Sequence, residues 1–320
     1  MSHNTESYPF DPNLVKSFAR GEPGVKNAIN GLKKLRLDKI DKPSVVIISA
    51  QKAGSTLLCY ICALINTRDS IKKFRNDFDV LPMLSFPQHL IPQNFNARQD
   101  GAYQMYKING TLREMDQVLT SVKALDKVIW SCREFTGYYK SVYWWITEFY
   151  PRIGFENLSL VSWDQFQDIT FIAMAEDHIE ELRFVYDNLI NMKSGALFPL
   201  IYEDTIAQKL ETIRDIADWL DIDITDNQAM SIGQKTSKEA MAAEDRFDPV
   251  AYGEGGGLSK INLHRHQYEV NEENRNLYQS MFEDRFRDVG IVSYSDYANS
   301  IRKVRQDIRR SASLDFNEIQ

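Results

Sequence analysis

The pattern of apolar and polar positions divides the chain into short buried runs and longer amphipathic stretches. Val45–Ile48 is an unbroken β-branched run, as expected of a strand covered on both faces. Leu57, Leu58, Ile61, Leu64 and Ile65 follow at helical spacing. Between them lies Ser49-Ala-Gln-Lys-Ala-Gly-Ser-Thr56, a turn of small and polar residues with one lysine. Strand patterns recur at Tyr103–Ile108, Lys127–Cys132 and Leu197–Tyr202. Helical patterns cover Leu112–Leu125, Glu134–Tyr150, Ala173–Met192, Asp204–Leu220 and Asn271–Phe286, and a basic one covers Tyr297–Arg310. Pro82, Pro87 and Pro92 make residues 66–104 loop-rich. Residues 151–170 and 231–267 read as mostly irregular, the latter with Gly253, Gly255, Gly256 and Gly257.

Strands alternating with helices predict an α/β fold, a single domain with a central parallel sheet flanked by helices. Its core is expected over about residues 43–290. Residues 1–40 form a lead-in with an amphipathic helix and a basic patch (Lys33, Lys34, Arg36), ended by Pro43. Residues 297–320 form a basic helix and tail.

Charge and cysteine usage narrow the function. The 320 residues carry 38 basic and 45 acidic side chains, a net charge of −7, which argues against general nucleic-acid binding. Any anion site must be local. The longest apolar run, Leu57–Ile65, is too short to span a bilayer, and the N-terminus has no signal-peptide core. Cys59, Cys62 and Cys132 make no disulfide framework, and the Cys59/Cys62 pair inside an apolar helix reads as buried thiols rather than metal ligands. A cytoplasmic, reduced protein without a metal cluster is expected.

The turn after the first strand carries the chemistry. A strand feeding a helix through such a turn aims backbone N–H groups and the positive end of the helix dipole at one point. Lys52 adds a full charge, and Ser55 and Thr56 add hydroxyls. A phosphate or related oxyanion is the expected ligand. Lys52 precedes Gly54, whereas in the Walker A loop the lysine follows the last glycine, so an ordinary NTPase is disfavoured. Arg133 comes directly after the Lys127–Cys132 strand, and Ser141 lies about two helical turns further on. Tyr202-Glu-Asp204 ends another strand. Ligands of open α/β sheets gather at such strand C-termini.

Together, Lys52-Ala-Gly-Ser-Thr56, Arg133 with Ser141, and Tyr202-Glu-Asp204 resemble the signature regions of the cytosolic-type sulfotransferases that use PAPS, 3′-phosphoadenosine 5′-phosphosulfate. The resemblance covers roughly residues 43–290 and suggests a bacterial small-molecule member with a P-loop-like strand–loop–helix. It implies that PAPS is the donor and PAP the product, with no metal. By the same resemblance Lys52 neutralises the bridging oxygen of the leaving group, and Ala53, Gly54, Ser55 and Thr56 cradle the 5′-phosphate. Arg133 and Ser141 take the 3′-phosphate, and Tyr202, Thr236 and Ser237 lie near the adenine. Lys107 matches the lysine that contacts the transferring sulfuryl group.

Several positions depart from the family pattern. Leu57 stands where a tryptophan usually stacks on adenine, leaving that role to Lys238 or to apolar packing. Asn109 stands at the usual catalytic histidine. It can orient a nucleophile but cannot take a proton, so His89, Glu148 or Asp77 are candidate bases. In the glycine-rich segment, Gly256, Gly257, Lys260, His264 and Arg265 stand in place of the usual Arg-Lys-Gly contact to the 3′-phosphate. The family's short C-terminal dimer motif is absent, which leaves the oligomeric state open.

The acceptor is expected to be a small molecule offering a hydroxyl or an amine. Its wall is placed on residues 74–95, including Phe86 and His89, on Trp144, Trp145, Glu148 and Phe149, and on residues 160–186. Asp77, Asp79, Asp164, Glu176 and Asp177 make that wall acidic as well as aromatic, which suits a cationic natural product such as a guanidinium alkaloid. A phenol or simple alcohol is the default by resemblance. A nucleotide-dependent kinase or NTPase-like protein, or a catalytically impaired PAP-binding protein, are the alternatives.

Overall fold

In the computed structural model, the described residues are 8–23, 25–26, 29, 43–50, 52–70, 101–111, 113–114, 126–191, 196–243 and 268–315. Helix α1 spans Pro12–Ala19, with the Asp11 carboxylate accepting from Asn13 N–H at its N-cap. Strand β1 (Ser44–Ser49) enters helix α2 (Ser55–Asn66). Strands β2 (Gln104–Asn109) and β3 (Lys127–Cys132) follow. Helix α3 (Phe135–Trp144) continues into a π-turn over Trp145–Phe149 and 3₁₀ turns over Tyr150–Ile153 and Glu156–Leu160. Helix α4 (Trp163–Asn191) leads to strand β4 (Leu197–Ile201). Helices α5 (Tyr202–Ala207), α6 (Lys209–Trp219), α7 (Asp226–Lys235) and α8 (Lys238–Ala243) come next. Helices α9 (Glu272–Phe286) and α10 (Tyr294–Asp315) follow.

The sheet has strand order β2-β1-β3-β4, with every neighbouring pair parallel. Val45 and Ile47 of β1, Met105 of β2, Ile129 of β3 and Phe198 of β4 face one core, with α2 and α6. Val46 and Ile48, Tyr106, Trp130 and Leu197 face the other, with α3, α4, α9 and α10. All of β1 is buried, as an unbroken β-branched run requires when both faces are covered. The parallel register brings Ser49 beside both Asn109 and Ser131, and Cys132 beside Ile201. The C-terminal ends of the strands therefore form one edge, the usual ligand edge of an open α/β sheet.

Some boundaries differ from the sequence reading. Helix α4 begins at Trp163, ten residues before Ala173, within a stretch expected to be irregular. Its start is a reciprocal cap: Ser162 N–H donates to Gln165 Oε1 at 3.0 Å, and Gln165 N–H donates to Ser162 Oγ at 3.3 Å. The helix expected over Asp204–Leu220 is two helices, broken at Gln208 where the backbone leaves the helical region (φ −124°, ψ 44°). Helix α7 and the short α8 extend past residue 231, where irregular structure was expected, and α7 carries a Thr225/Gln228 capping box. The helix expected over Glu134–Tyr150 stops being α-helical at Trp144. Cys59, Cys62 and Cys132 are buried free thiols. No described helix is long and apolar enough to cross a membrane.

Candidate active site

The β1–α2 turn is shaped by two left-handed backbone positions. Lys52 has φ 67° and Gly54 has φ 89°. For lysine that conformation is strained, and at position 54 the tertiary packing requires glycine. A Cβ on Gly54 would lie 2.1 Å from Cδ2 of the Tyr202 ring. Gly54 is the N-cap of α2 with no side-chain cap, so the first-turn N–H groups of Ser55, Thr56 and Leu57 have no helical acceptor. The turn is tied down where the Ala53 carbonyl accepts from Ser131 Oγ at 3.2 Å, and where Ala53 N–H donates to the Ala50 carbonyl at 3.1 Å.

Each strand end contributes to this edge. From β2, Lys107 is 5% exposed and its Nζ donates to Thr56 Oγ1 at 3.4 Å. Ser55 Oγ donates to Asn109 Oδ1 at 3.3 Å. After β3, Arg133 Nη1 donates to the Lys52 carbonyl at 3.4 Å. Its guanidinium lies over the Tyr202 ring, 4.7 Å from the centroid, at the end of β4. Gly137, one turn into α3, lets Arg133 approach: a Cβ there would be 3.1 Å from Arg133 Nε. Ser141 lies one turn beyond Gly137 on the same helix face. Its hydroxyl is buried and has no hydrogen-bond partner among the described residues.

Lys52 also meets the aromatic helix. Its Nζ lies 4.4 Å from the Trp145 ring centroid, and Trp145 stacks on Phe149 at 3.7 Å. Both rings belong to the π-turn, an irregularity that places successive aromatics side by side and is frequent at functional sites. The lysine expected at the donor and an aromatic residue expected at the acceptor are thus in contact. Trp144 is buried.

The acidic character of the wall is weaker than the sequence suggests. Asp177 pairs with Arg20 at 2.6 Å and with Arg113 at 3.5 Å, and Glu148 pairs with Arg152 at 3.8 Å. Asp164 and Glu176 are exposed. Leu57 is half-buried against the core on the α2 side of the sheet. Thr236 Oγ1 donates to the Ile232 carbonyl at 2.8 Å and is turned into its own helix, while Ser237 Oγ caps α8 by accepting from Ala240 N–H at 3.0 Å. The Lys238 side chain lies outside the described residues, as do Phe86, His89, Gly256, Gly257, Lys260, His264, Arg265, Asp77, Asp79, Lys33, Lys34 and Arg36.

Sequence reasoning missed His178 and the part of Glu203, a member of the Tyr202-Glu-Asp204 motif, in holding Arg133 from behind. His178 Nε2 donates to the Arg133 carbonyl at 3.0 Å, and Glu134 N–H donates to Glu203 Oε1 at 3.2 Å. Neither partner is near Arg133 in sequence, so periodicity and spacing carried no signal for these two contacts.

The architecture defines the class: this is the α/β fold of the sulfotransferases, with the β1–α2 turn following an inner strand of a parallel sheet. Mouse sulfotransferase SULT7A1 complexed with PAP superposes with a TM-score of 0.56 at 13% identity, over 88% of this chain and 94% of that one. Retinol dehydratase in complex with androsterone and the inactive cofactor PAP gives a TM-score of 0.51 at 16% identity, over 84% of this chain and 87% of that one. No family model matches the chain, and no curated protein matches it. At such identities the likeness establishes a shared fold, and function must be argued from the site.

Proposed function

We propose that this chain is a PAPS-dependent sulfotransferase acting on a hydroxyl or an amine of a small-molecule acceptor. The observation that carries the reading is the pairing of two cationic positions on one sheet edge. The Lys52–Thr56 turn is hydrogen-bonded through the Lys52 carbonyl to Arg133 at 3.4 Å. A nucleotide with anionic groups at both the 5′ and 3′ positions needs two such positions side by side, and in a chain of net charge −7 they must be built locally. The residues present fit that ligand: an uncapped helix N-terminus, a glycine where a side chain would strike Tyr202, and a buried hydroxyl on Ser141 without a hydrogen-bond partner among the described residues. The PAP bound in the two solved structures named above supports the reading.

When bound, PAPS supplies the sulfuryl group and leaves as PAP. The chain's own part is binding and charge placement. Ala53, Gly54, Ser55 and Thr56 would bind the 5′-phosphate through backbone N–H and hydroxyl donors. Lys52 would stabilise charge at the bridging oxygen, and Lys107 charge on the sulfuryl oxygens. Arg133 and Ser141 would take the 3′-phosphate, with Tyr202, Leu57 and the Thr236–Ser237 turn beside the base. Asn109 would orient the acceptor, and Trp144, Trp145 and Glu148 would line it. His89, Phe86, Lys238, Gly256, Gly257, Lys260 and Arg265 keep their proposed parts in the acceptor wall and nucleotide cover. Because Asp177 and Glu148 are already ion-paired, the aromatic shelf at Trp145 and Phe149 supports an aromatic or apolar acceptor more directly than a cationic one.

The test is transfer of labelled sulfate from PAPS to a panel containing a phenol, an aliphatic alcohol, an amine and a guanidinium compound, with calorimetric titration of PAP and ATP alongside. PAP binding tighter than ATP, with turnover lost in Lys52→Ala, is expected. Tight ATP and weak PAP binding would overturn the reading in favour of a kinase or NTPase-like protein. Tight PAP binding without turnover on any acceptor would favour a catalytically impaired PAP-binding protein, the reading that Asn109 at the base position supports.

A further inference from the structure

The peptide joining Arg133 to Glu134 is held at both of its polar ends. Its carbonyl accepts from His178 Nε2 at 3.0 Å, and its N–H donates to Glu203 Oε1 at 3.2 Å. A carbonyl can only accept, so Nε2 carries a proton, and Nδ1 lies 2.9 Å from the Tyr278 hydroxyl, which can either donate to it or accept from it. His178 is 8% exposed and packs beside Phe135 and Tyr138. Burial lowers its pKa to about 4, so at neutral pH the ring is neutral and its bare Nδ1 accepts from the Tyr278 hydroxyl. The second Glu203 oxygen accepts from the Tyr294 hydroxyl at 3.3 Å. One peptide plane is thereby fastened to α4, α5, α9 and α10. At the far end of the same residue, Tyr202 and the missing side chain of Gly137 set the position of the guanidinium.

We infer that His178 and Glu203 are positioning residues: by clamping the 133–134 peptide they aim Arg133 at the 3′-phosphate, and so set the preference for a 3′-phosphorylated nucleotide. This rests on the proposed donor site. Their polar groups are turned to the 133–134 peptide and to Tyr278 and Tyr294, so their part would be played through Arg133. A side chain with a purely structural role would weaken all nucleotides alike, whereas a clamp on Arg133 acts on the 3′-phosphate alone.

The experiment compares PAP with adenosine 5′-monophosphate, which lacks the 3′-phosphate, by calorimetry or competition. Wild-type protein is expected to prefer PAP. A wild type without that preference overturns the donor site, and the clamp with it. Given the preference, His178→Phe is expected to lose about tenfold in PAP affinity while AMP affinity stays within about twofold. His178→Gln, whose amide N–H can take the place of Nε2–H, is expected to keep the preference. Glu203→Ala releases the other end of the same peptide and is expected to reduce the preference similarly, which decides the matter if His178→Phe does not fold. An unchanged PAP-to-AMP ratio in folded His178→Phe or Glu203→Ala, or equal losses on both nucleotides, would overturn the inference.

Discussion

The two sides of the ligand edge are built differently. On the β2 side, Lys107 reaches Thr56 at 3.4 Å and Asn109 accepts from Ser55 at 3.3 Å. Both hydrogen bonds are near the long limit, and an incoming oxygen could replace either at small cost. On the β3–β4 side, Arg133 is held by His178, Glu203 and the Tyr202 ring. The adjoining Asp204 is gripped by both nitrogens of an Arg302 fork, at 2.9 and 2.7 Å. The contrast separates the two tasks assigned to the site. The side proposed for nucleotide recognition is a prebuilt frame, while the two hydrogen bonds made by Lys107 and Asn109 on the side proposed for transfer are long ones. Substitutions on the β3–β4 side should change stability and nucleotide choice, and those on the β2 side should change turnover.

The largest expected effect is on the loose side. Lys107→Met keeps the apolar stem of a buried side chain and removes its charge, so turnover should fall about 10²–10³-fold with PAP affinity within a few-fold. The melting temperature should hold or rise, because a buried cation is replaced by an apolar chain. A Lys107→Met protein with normal turnover but impaired PAP binding would reverse the assignment of the two sides.

The next effect probes the tight side through pH. The folded-state pKa of His178 is lowered from 6.5 to about 4, so the unfolded chain takes up a proton before the folded one does. The contribution of His178 to stability is therefore complete above about pH 6.5 and is lost as pH falls towards 4, on the order of 3 kcal/mol in all. Denaturant unfolding of wild type and His178→Gln across that range should show the steeper acid loss in wild type. Parallel curves would mean that the ring is not held neutral in the fold.

Gly54→Ala tests the joint between the sides. The left-handed φ and the approach to Tyr202 together should cost about 1–3 kcal/mol, read as a lower melting temperature. PAP affinity should fall as well, since the turn and the Tyr202 ring beneath Arg133 cannot both keep their places. The smallest effect is expected for Trp145→Leu. Losing the ring beside Lys52 should cost about 0.5–1 kcal/mol of local interaction, seen as a change in acceptor KM with PAP affinity unaltered.

Much of the fold was legible along the chain. Lys127–Cys132 has the same bounds in sequence and structure because an apolar run is bracketed by charged residues at Lys127 and Arg133. The β1–α2 unit was equally plain, since a β-branched run, a polar turn and an apolar helical run are all local signals. The start of α4 was also written there, in the Ser162-x-x-Gln165 cap. Ile169, Thr170 and Ile172 obscure it by diluting the helical pattern with β-branched residues. The break at Gln208 carries no proline or glycine and could not be read locally.

The sequence by itself determined which residues come where the strands finish: Lys52 and Gly54 lie in the turn after β1, Lys107 and Asn109 in the last half of β2, Arg133 directly after β3 and Tyr202 directly after β4. It also determined that the loop is not of the Walker A order, because that is a matter of which residue follows which. Tertiary structure alone decided how those groups are held. The fit of Gly54 against Tyr202, the Trp145 ring beside Lys52 and the two-ended clamp on the Arg133 peptide join residues far apart in the chain. Such contacts depend on strand order and helix packing, which no single segment encodes, and they arise only when the parallel sheet brings its C-terminal ends to one edge.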